Sequence, residues 1–302
     1  MKVVNSISDK HRLLSLPDPL HPLVSVVRIA DIRVIDDSVW ERFSLNFYCI
    51  SLKRNVKGKM QYGQEYYDYD KGVMTFIAPR QVLSLDGPPS YERGEDAGYA
   101  LFFHPDFIAN HPLAMKIKTY GFFSYTVNEA LHLSEKEEKD IAGIFEKIDQ
   151  EYQHIDKHTQ EVIISLIELL LNYSNRFYER QFITRKAVSH AVITKMEQML
   201  NDHFDGKDGL KAGVPTVEYF ASMLNLSPHY FSDLLKSLTG QSAQQHIQEK
   251  LIEKAKEYLT GTDLSVAEIA YQLGFQYPQS LNKLFRRKTN SSPLEFRKKI
   301  KL

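Results

Sequence analysis

The segment from Thr216 to Arg297 is written twice, and that repetition restricts the fold more than any other feature of the chain. The first copy, VEYFASMLNLSPHYFSDLLKSLTGQSAQQHI, runs from Val217 to Ile247, and the second, VAEIAYQLGFQYPQSLNKLFRRKTNSSPLEF, runs from Val266 to Phe296. At an offset of 49, Val217, Phe220, Ala221, Leu224 and Leu226 match Val266, Ile269, Ala270, Leu273 and Phe275. One residue is then inserted, and at an offset of 50 Phe231, Leu234, Leu235, Lys236 and Thr239 match Leu281, Leu284, Phe285, Arg286 and Thr289. Spacings of three and four gather the apolar members on one helical face, so each copy reads as helix, short turn, helix. Gly274 permits the left-handed backbone that the reversal requires, and Asn225, of the next most tolerant residue type, takes that place in the first copy. Thr216 and Ser265 stand at N-cap positions, each just ahead of an apolar-periodic run.

Two such units in one chain imply a ligand. A helix-turn-helix lays its second helix in the major groove, and units about 34 Å apart read two successive faces of duplex DNA. The joint between the copies has the pattern of one helix: Ile247, Leu251, Ala255 and Leu259 recur four apart, with Gly261 as the stop.

Overall charge carries no information about a partner, since Lys plus Arg equals Asp plus Glu at 38 each. Its distribution does. From Lys186 onward there are 16 basic against 12 acidic residues, and Lys283 to Lys301 holds eight basic residues with Glu295 alone on the acidic side. A charge run is ordinarily a solvated helix face, but here it lies on the repeated motif and reads as a nucleic-acid footprint. The single cysteine, Cys49, rules out an intramolecular disulfide framework and fits a reducing compartment; its expected role is that of a small buried hydrophobe. The first residues lack the continuous apolar core of a signal peptide, and the most apolar run, Val162 to Leu171, falls short of the ~20 residues of a membrane span. A soluble cytoplasmic protein with no membrane partner is expected.

At 302 residues about two domains are expected. After an irregular arm, the runs VSVVRI, FSLNFYCISL, MQYGQEYY, VMTFIA, QVLSL and GYALFF alternate with turn signals, which suggests a small antiparallel barrel or jelly roll. Tyr48, Tyr62, Tyr66, Tyr67, Met74 and Phe76 lie on candidate strands. Core packing is the commoner role for any one of them; Tyr48, Tyr62, Tyr66, Met74 and Phe76 are nevertheless the candidates for a small-molecule pocket. A catalytic metal site would need converging histidines with a carboxylate, yet no HxH pair occurs in the strands, and His104, His111 and His132 are scattered. Glycine-rich phosphate loops, HExxH and GxSxG are absent from the sequence. No metal, cofactor or enzymatic activity is therefore expected.

The chain then turns helical. SEKE at Ser134 is a capping box opening a helix through about Tyr152, a second helix spans about His158 to Phe182, and a third starts near Lys186 and ends near Phe204. The second is apolar around more than one stripe, so Ile163, Leu166 and Leu170 are candidates for packing on a second subunit, burial within the monomer being the alternative. The linker DGKDGLKAGVP, with Gly206, Gly209, Gly213 and Pro215, marks the domain boundary. The expected division is 1–185 for the β-rich part with its helices, 186–215 for a helix and linker, and 216–302 for the repeat. The fold class is α+β, an N-terminal antiparallel barrel followed by an all-α domain.

The segment from Thr216 to Arg297 resembles the two-motif DNA-binding domain of AraC-type transcriptional regulators. The resemblance rests on IAYQLGF at Ile269 to Phe275, on Phe285 followed by a basic residue, and on Ser292 and Pro293 before Phe296 and Arg297. FIAPRQV, GYALFFHPDF and NYSNRFYERQF are similar to the N-terminal part of a subset of the same regulators. Leu281 stands where the family often has Phe, and Asn290 where glycine is usual. The resemblance implies a cupin-like first domain serving a small-molecule effector or dimerisation, a homodimer, and RNA polymerase as a partner if the protein activates transcription. Carried onto the helix faces, it leaves His229, Tyr230, Ser232, Asp233 and Lys236 to the groove in the first unit, and Tyr277, Gln279, Ser280, Asn282, Lys283 and Arg286 in the second. Gln and Asn suit adenine, and Lys and Arg suit guanine or phosphate. Arg287, Lys288 and Arg297 to Lys299 are assigned to phosphate. Two competing classes are a cupin-type metal enzyme with a DNA-binding tail and a ligand-free architectural DNA-binding protein. The second would bind without sequence preference and with a steep salt slope.

Overall fold

Strand β4 (Tyr48–Arg54) lies at the centre of the N-terminal part. Around it a five-stranded sheet runs in the order β2 (Val24–Arg28), β7 (Gly98–Phe103), β4, β5 (Gly72–Ile77), β8 (Leu131–Leu133), every neighbouring pair antiparallel. The computed structural model describes residues 2–33, 42–54, 72–83, 97–125, 129–184, 186–205 and 213–300. By its internal contacts the chain divides into two units, Met1–Thr184 and Arg185–Leu302.

Both faces of β4 are buried, and the two faces have different covers. Ile50 stands opposite Leu101 and Phe76, and Leu52 opposite Tyr99 and Met74. This face meets helices α2 (Glu135–Gln153) and α3 (Thr159–Thr184): Tyr99 stacks on Phe145 at 5.6 Å, and the Ser174 hydroxyl lies 3.9 Å from Met74 Sδ. The opposite face carries Cys49, Ala100 and Phe102. It packs into a core with Ile7 of helix α1 (Ile7–Leu13), Val4 of β1 (Lys2–Val4), Phe43 and Leu45 of β3 (Phe43–Leu45) and Leu83 of β6 (Val82–Leu83). Strands β1, β3 and β6 form a separate three-stranded sheet, with β1 parallel to β3. Among the described residues the strands form two open sheets and are not closed into a barrel. A strand apolar on both faces needs two covers, and here they are helices on one side and a second sheet on the other. The run MQYGQEYY, together with Tyr62, Tyr66 and Tyr67, lies outside the described residues.

The helices follow their sequence signals closely. Ser134 caps α2 in a full capping box with Glu137. Helix α3 buries Ile163, Ile164, Ile167, Leu170, Leu171 and Ser174, spaced by one and three, and turns Val162 and Leu169 outward at 38% and 43% exposure.

In the C-terminal unit, helix α4 (Lys186–Asp205) precedes the repeat, which forms α5 (Val217–Met223), α6 (Pro228–Thr239), α7 (Ala243–Gly261), α8 (Val266–Gln272), α9 (Pro278–Thr289) and α10 (Pro293–Ile300). One core joins both copies: Phe220, Ala221, Phe231 and Leu235 of the first meet Ile269, Ala270, Leu281 and Phe285 of the second, with Ile247, Leu251, Ala255 and Leu259 of α7 between. Met196 and Leu200 of α4 belong to the same core. Among the described residues no helix is long and apolar enough to cross a membrane.

Candidate nucleic-acid interface

The two recognition helices share a proline at the first helical position and a left-handed C-terminal residue, and α6 adds a side-chain N-cap that α9 lacks. The Ser227 hydroxyl accepts from Tyr230 N at the start of α6, Pro228 follows at the first helical position, and Gly240 ends the helix at φ 78°. Helix α9 likewise begins with Pro278 and ends on a left-handed residue, here Asn290 at φ 56°. The turns before them use Asn225 at φ 55° and Gly274 at φ 83°. Thr216 and Ser265 cap the helices that precede, and Glu268 completes a capping box with Ser265.

These ends set which side chains face outward. On α9, Leu281, Leu284 and Phe285 are buried, while Gln279, Ser280, Asn282, Lys283, Arg286 and Arg287 are exposed and Tyr277, just ahead of the helix, is 58% exposed. Gln279, Asn282, Lys283 and Arg286 are spaced three, one and three, and so share one face. On α6 the same positions, 50 residues earlier, are His229, Ser232, Asp233 and Lys236. His229 and Lys236 are exposed, and Ser232 and Asp233 are half-buried. The second face carries two cations with two amide side chains, whereas in the first Asp233 balances Lys236.

Several of the expected contact residues are engaged within the unit. Tyr230 is only 5% exposed, so its ring belongs to the core side of α6 and not to the outward face. The Arg287 guanidinium donates to Gln248 Oε1 at 3.1 Å, and Lys288 Nζ lies 3.7 Å from Glu249, so both reach back to α7. Arg297 donates through Nε to the Leu259 carbonyl at 3.0 Å and thereby ties α10 to the end of α7, while Lys298 and Lys299 stay exposed. Glu295 is hydrogen-bonded to the Ser292 backbone and hydroxyl, which, with Arg286 and Lys299 nearby, holds its carboxyl below the usual range. The anion is thus fixed at the N-terminus of α10, where it also caps the helix.

In the N-terminal unit the described pocket candidates, Tyr48, Met74 and Phe76, pack against other side chains. Tyr48 stacks on Phe103 at 4.9 Å and meets Phe123 edge-on at 5.2 Å; Phe76 lies 4.5 Å from Phe122; Met74 is fully buried. A cleft of about 640 Å³ lies elsewhere in this unit, bordered by Leu16, Leu20, Val26, Arg28, Asp149 and Tyr152. Ile163 and Leu170 are wholly buried within the unit, so of the three expected interface residues only Leu166, half-buried, borders the outward stripe of Val162 and Leu169. Among the described residues no group of three or more His, Cys, Asp or Glu side chains is placed to hold a metal ion.

Two helix-turn-helix units, joined by one 19-residue helix and presenting matched faces, make the C-terminal unit a double helix-turn-helix module. Residues 220–299 match a family model described as a helix-turn-helix domain, and the module is of AraC type. The chain is 32% identical over 136 residues to an uncharacterized HTH-type transcriptional regulator, YfiF, of Bacillus subtilis, covering 45% of this chain and 40% of that one. To the HTH-type transcriptional activator RhaS of an Enterobacter species it is 33% identical over 107 residues, 35% of this chain and 36% of the relative. The chain thus spans two fifths or less of the length of these curated relatives. The DNA-binding domain of AdpA, solved in complex with a target DNA, is 28% identical, covering 36% of this chain and 88% of that chain at a TM-score of 0.30.

Proposed function

We propose that this protein is a sequence-specific DNA-binding regulator of transcription in which α6 and α9 read two successive major-groove segments. The observation that carries this reading is the matched pair of faces, His229, Ser232, Asp233 and Lys236 on α6 and Gln279, Asn282, Lys283 and Arg286 on α9, repeated at a constant offset of 50. Gln279 and Asn282 are poor phosphate clamps but suit adenine edges, and Arg286 suits guanine, which favours base reading over purely electrostatic binding. Asp233 fits such a face as an acceptor for cytosine N4 or as an orienting partner for Lys236. Lys298 and Lys299 are assigned to phosphate.

In the same reading, residues 1–185 form a regulatory part that takes a small-molecule effector and dimerises, 186–215 a helix and connector, and 216–302 the DNA reader. A cleft of about 640 Å³ supports an effector, its size lying in the usual range for small-ligand sites. The outward stripe of Val162, Leu166 and Leu169 supports a homodimer through α3. The protein acts in the cytoplasm, with RNA polymerase as a further partner if it activates.

Selection of bound duplexes from a random library at near-physiological salt tests the reading. The expected result is an enriched motif of two segments about one helical turn apart. Binding to all duplexes alike, with a steep salt slope and no enrichment even after the selection is repeated with candidate effectors, would mean an architectural protein instead.

A further inference from the structure

The two recognition helices are joined twice. Helix α7 is the evident spacer, leading from α6 to α8. A second connection runs on the other side of the same unit, through the residues just ahead of α5. Val214 N donates to the Gly274 carbonyl at 3.1 Å, which places the backbone of the connector against the turn of the second helix-turn-helix. The two chains touch so closely that a Cβ on Gly274 would stand 2.4 Å from the Gly213 carbonyl carbon, 2.6 Å from its oxygen and 2.7 Å from Val214 N. The connector is held in turn from α4. His203 Nε2 lies 3.1 Å from the Gly213 carbonyl, which makes that nitrogen the donor, and the imidazole packs edge-on to Phe204 and against Tyr219 of α5.

Gly274 therefore answers two demands, and the first copy separates them. Asn225 occupies the same point of its turn at φ 55° and carries a side chain there, so the left-handed backbone by itself accepts asparagine. What excludes a side chain at 274 is the connector. From Val214 to Val217, where α5 begins, three residues span at most roughly 10 Å, so the contact ties the first helix of one unit to the turn of the other by a short strut.

We propose that His203 and the Gly213–Val214 backbone are positioning elements that, together with α7, fix the separation of the two recognition helices and so the base-pair spacing the protein accepts. The clause about spacing rests on the DNA-reading function proposed above; the clause about separation does not. The shared core and the contacts of Arg287 and Arg297 already hold the second unit on α7. The strut adds a restraint at the turn between α8 and α9, and a 1 Å error there carries directly to α9.

The test measures the separation without DNA. In full-length protein carrying Cys49→Ala, spin labels are placed at His229→Cys and Gln279→Cys, and the distance distribution is read by pulsed dipolar spectroscopy. Gly274→Asn preserves the left-handed turn but drives a Cβ into Gly213; Asn225→Gly is its control, and His203→Ala loosens the strut without adding an atom, so it decides the matter if Gly274→Asn fails to fold. The expected result is a single narrow distribution in the parent and in Asn225→Gly, and a broadened or displaced one in Gly274→Asn and His203→Ala. A distribution unchanged in every variant that folds overturns the proposal. A second arm uses the selected duplex with one base pair inserted between its segments. The parent should lose about tenfold in affinity, in the range of one mismatched position, and His203→Ala no more than about threefold. If the parent selects no two-segment duplex, the DNA-reading function fails while the label distances still decide the strut.

Discussion

Arg180 and Glu137 face each other fork to fork, with Arg180 Nε 3.0 Å from Glu137 Oε1 and a terminal nitrogen 2.7 Å from Oε2. The same guanidinium donates to the His132 carbonyl at 2.8 Å, and the same carboxylate accepts from Ser134 N at 2.9 Å to close the cap of α2. One pair thus ties α3 to β8 and to the start of α2. Both side chains are mostly buried, so removing one leaves the other short of partners. Arg180→Ala should lower stability by about 2 kcal/mol in urea unfolding followed by circular dichroism. Arg180→Lys should recover less than half of the loss, because an ammonium cannot span both oxygens.

A second prediction follows from the buried layer beneath α1. Burial lowers the Lys10 ammonium from its ordinary 10.5 to about 8 and raises the Cys49 thiol from 9.0 to about 11. Between pH 8 and 10.5 the unfolded chain retains a proton that folded Lys10 has released, so stability rises with pH. Between pH 9 and 11 the unfolded thiol ionises while folded Cys49 stays protonated, so stability falls. From pH 8 to 9 only the first effect operates. The urea midpoint should rise over that interval by the equivalent of about 1 kcal/mol, and Lys10→Met should flatten the rise. Native Cys49 should resist a thiol reagent at pH 8 and react once the chain is unfolded in denaturant.

The repeat was legible because two copies constrain each other. An apolar residue at 231 and at 281, or at 235 and at 285, fixes the inward face without reference to the rest of the chain. The burial of Tyr230 was not legible: its counterpart Ser280 lies outward, and helix periodicity gives a direction about the helix's own axis, not the position of the neighbours that cover an aromatic ring. The reach of Arg287 and Lys288 back to Gln248 and Glu249 joins residues 39 apart and leaves no trace in local pattern. In the N-terminal unit, Ile50 and Cys49 are both apolar on opposite faces, which fits a barrel wall as well as a sheet covered on both sides. Only the packing of Phe145, Ser174 and Phe102 shows which. Helix α3 poses the same difficulty, since a helix apolar around most of its girth does not declare which stripe its own sheet will take.

That stripe gives a third prediction. Leu169 and Val162 face outward, so Leu169→Lys with Val162→Lys should leave the fold intact and convert a dimer to monomer in sedimentation equilibrium. Ile163→Lys, by contrast, places a charge at a wholly buried position and should unfold the N-terminal unit. Should the outward pair leave the sedimenting mass unchanged, the proposed dimer contact on α3 fails.

The recognition face offers the finest discrimination, because neighbouring cations on α9 have different surroundings. Arg286 lies on the exposed face with Gln279, Asn282 and Lys283, and its charge helps to hold the Glu295 carboxyl ionised. Arg287, one residue on, is engaged with Gln248 of α7. Arg286→Ala should therefore reduce affinity for the selected duplex by roughly 5- to 150-fold, the measure of one bidentate base contact, and relax preference in one segment only. Lys298→Ala should weaken every duplex alike and lower the slope of log affinity against log salt by about 0.9, as for one phosphate neutralised. Arg287→Ala should act chiefly through the α7 contact, with a smaller loss and both segments still read. Equal losses for Arg286→Ala on selected and scrambled duplexes would instead place Arg286 on phosphate, and base reading by α9 would then have to rest on Gln279 and Asn282.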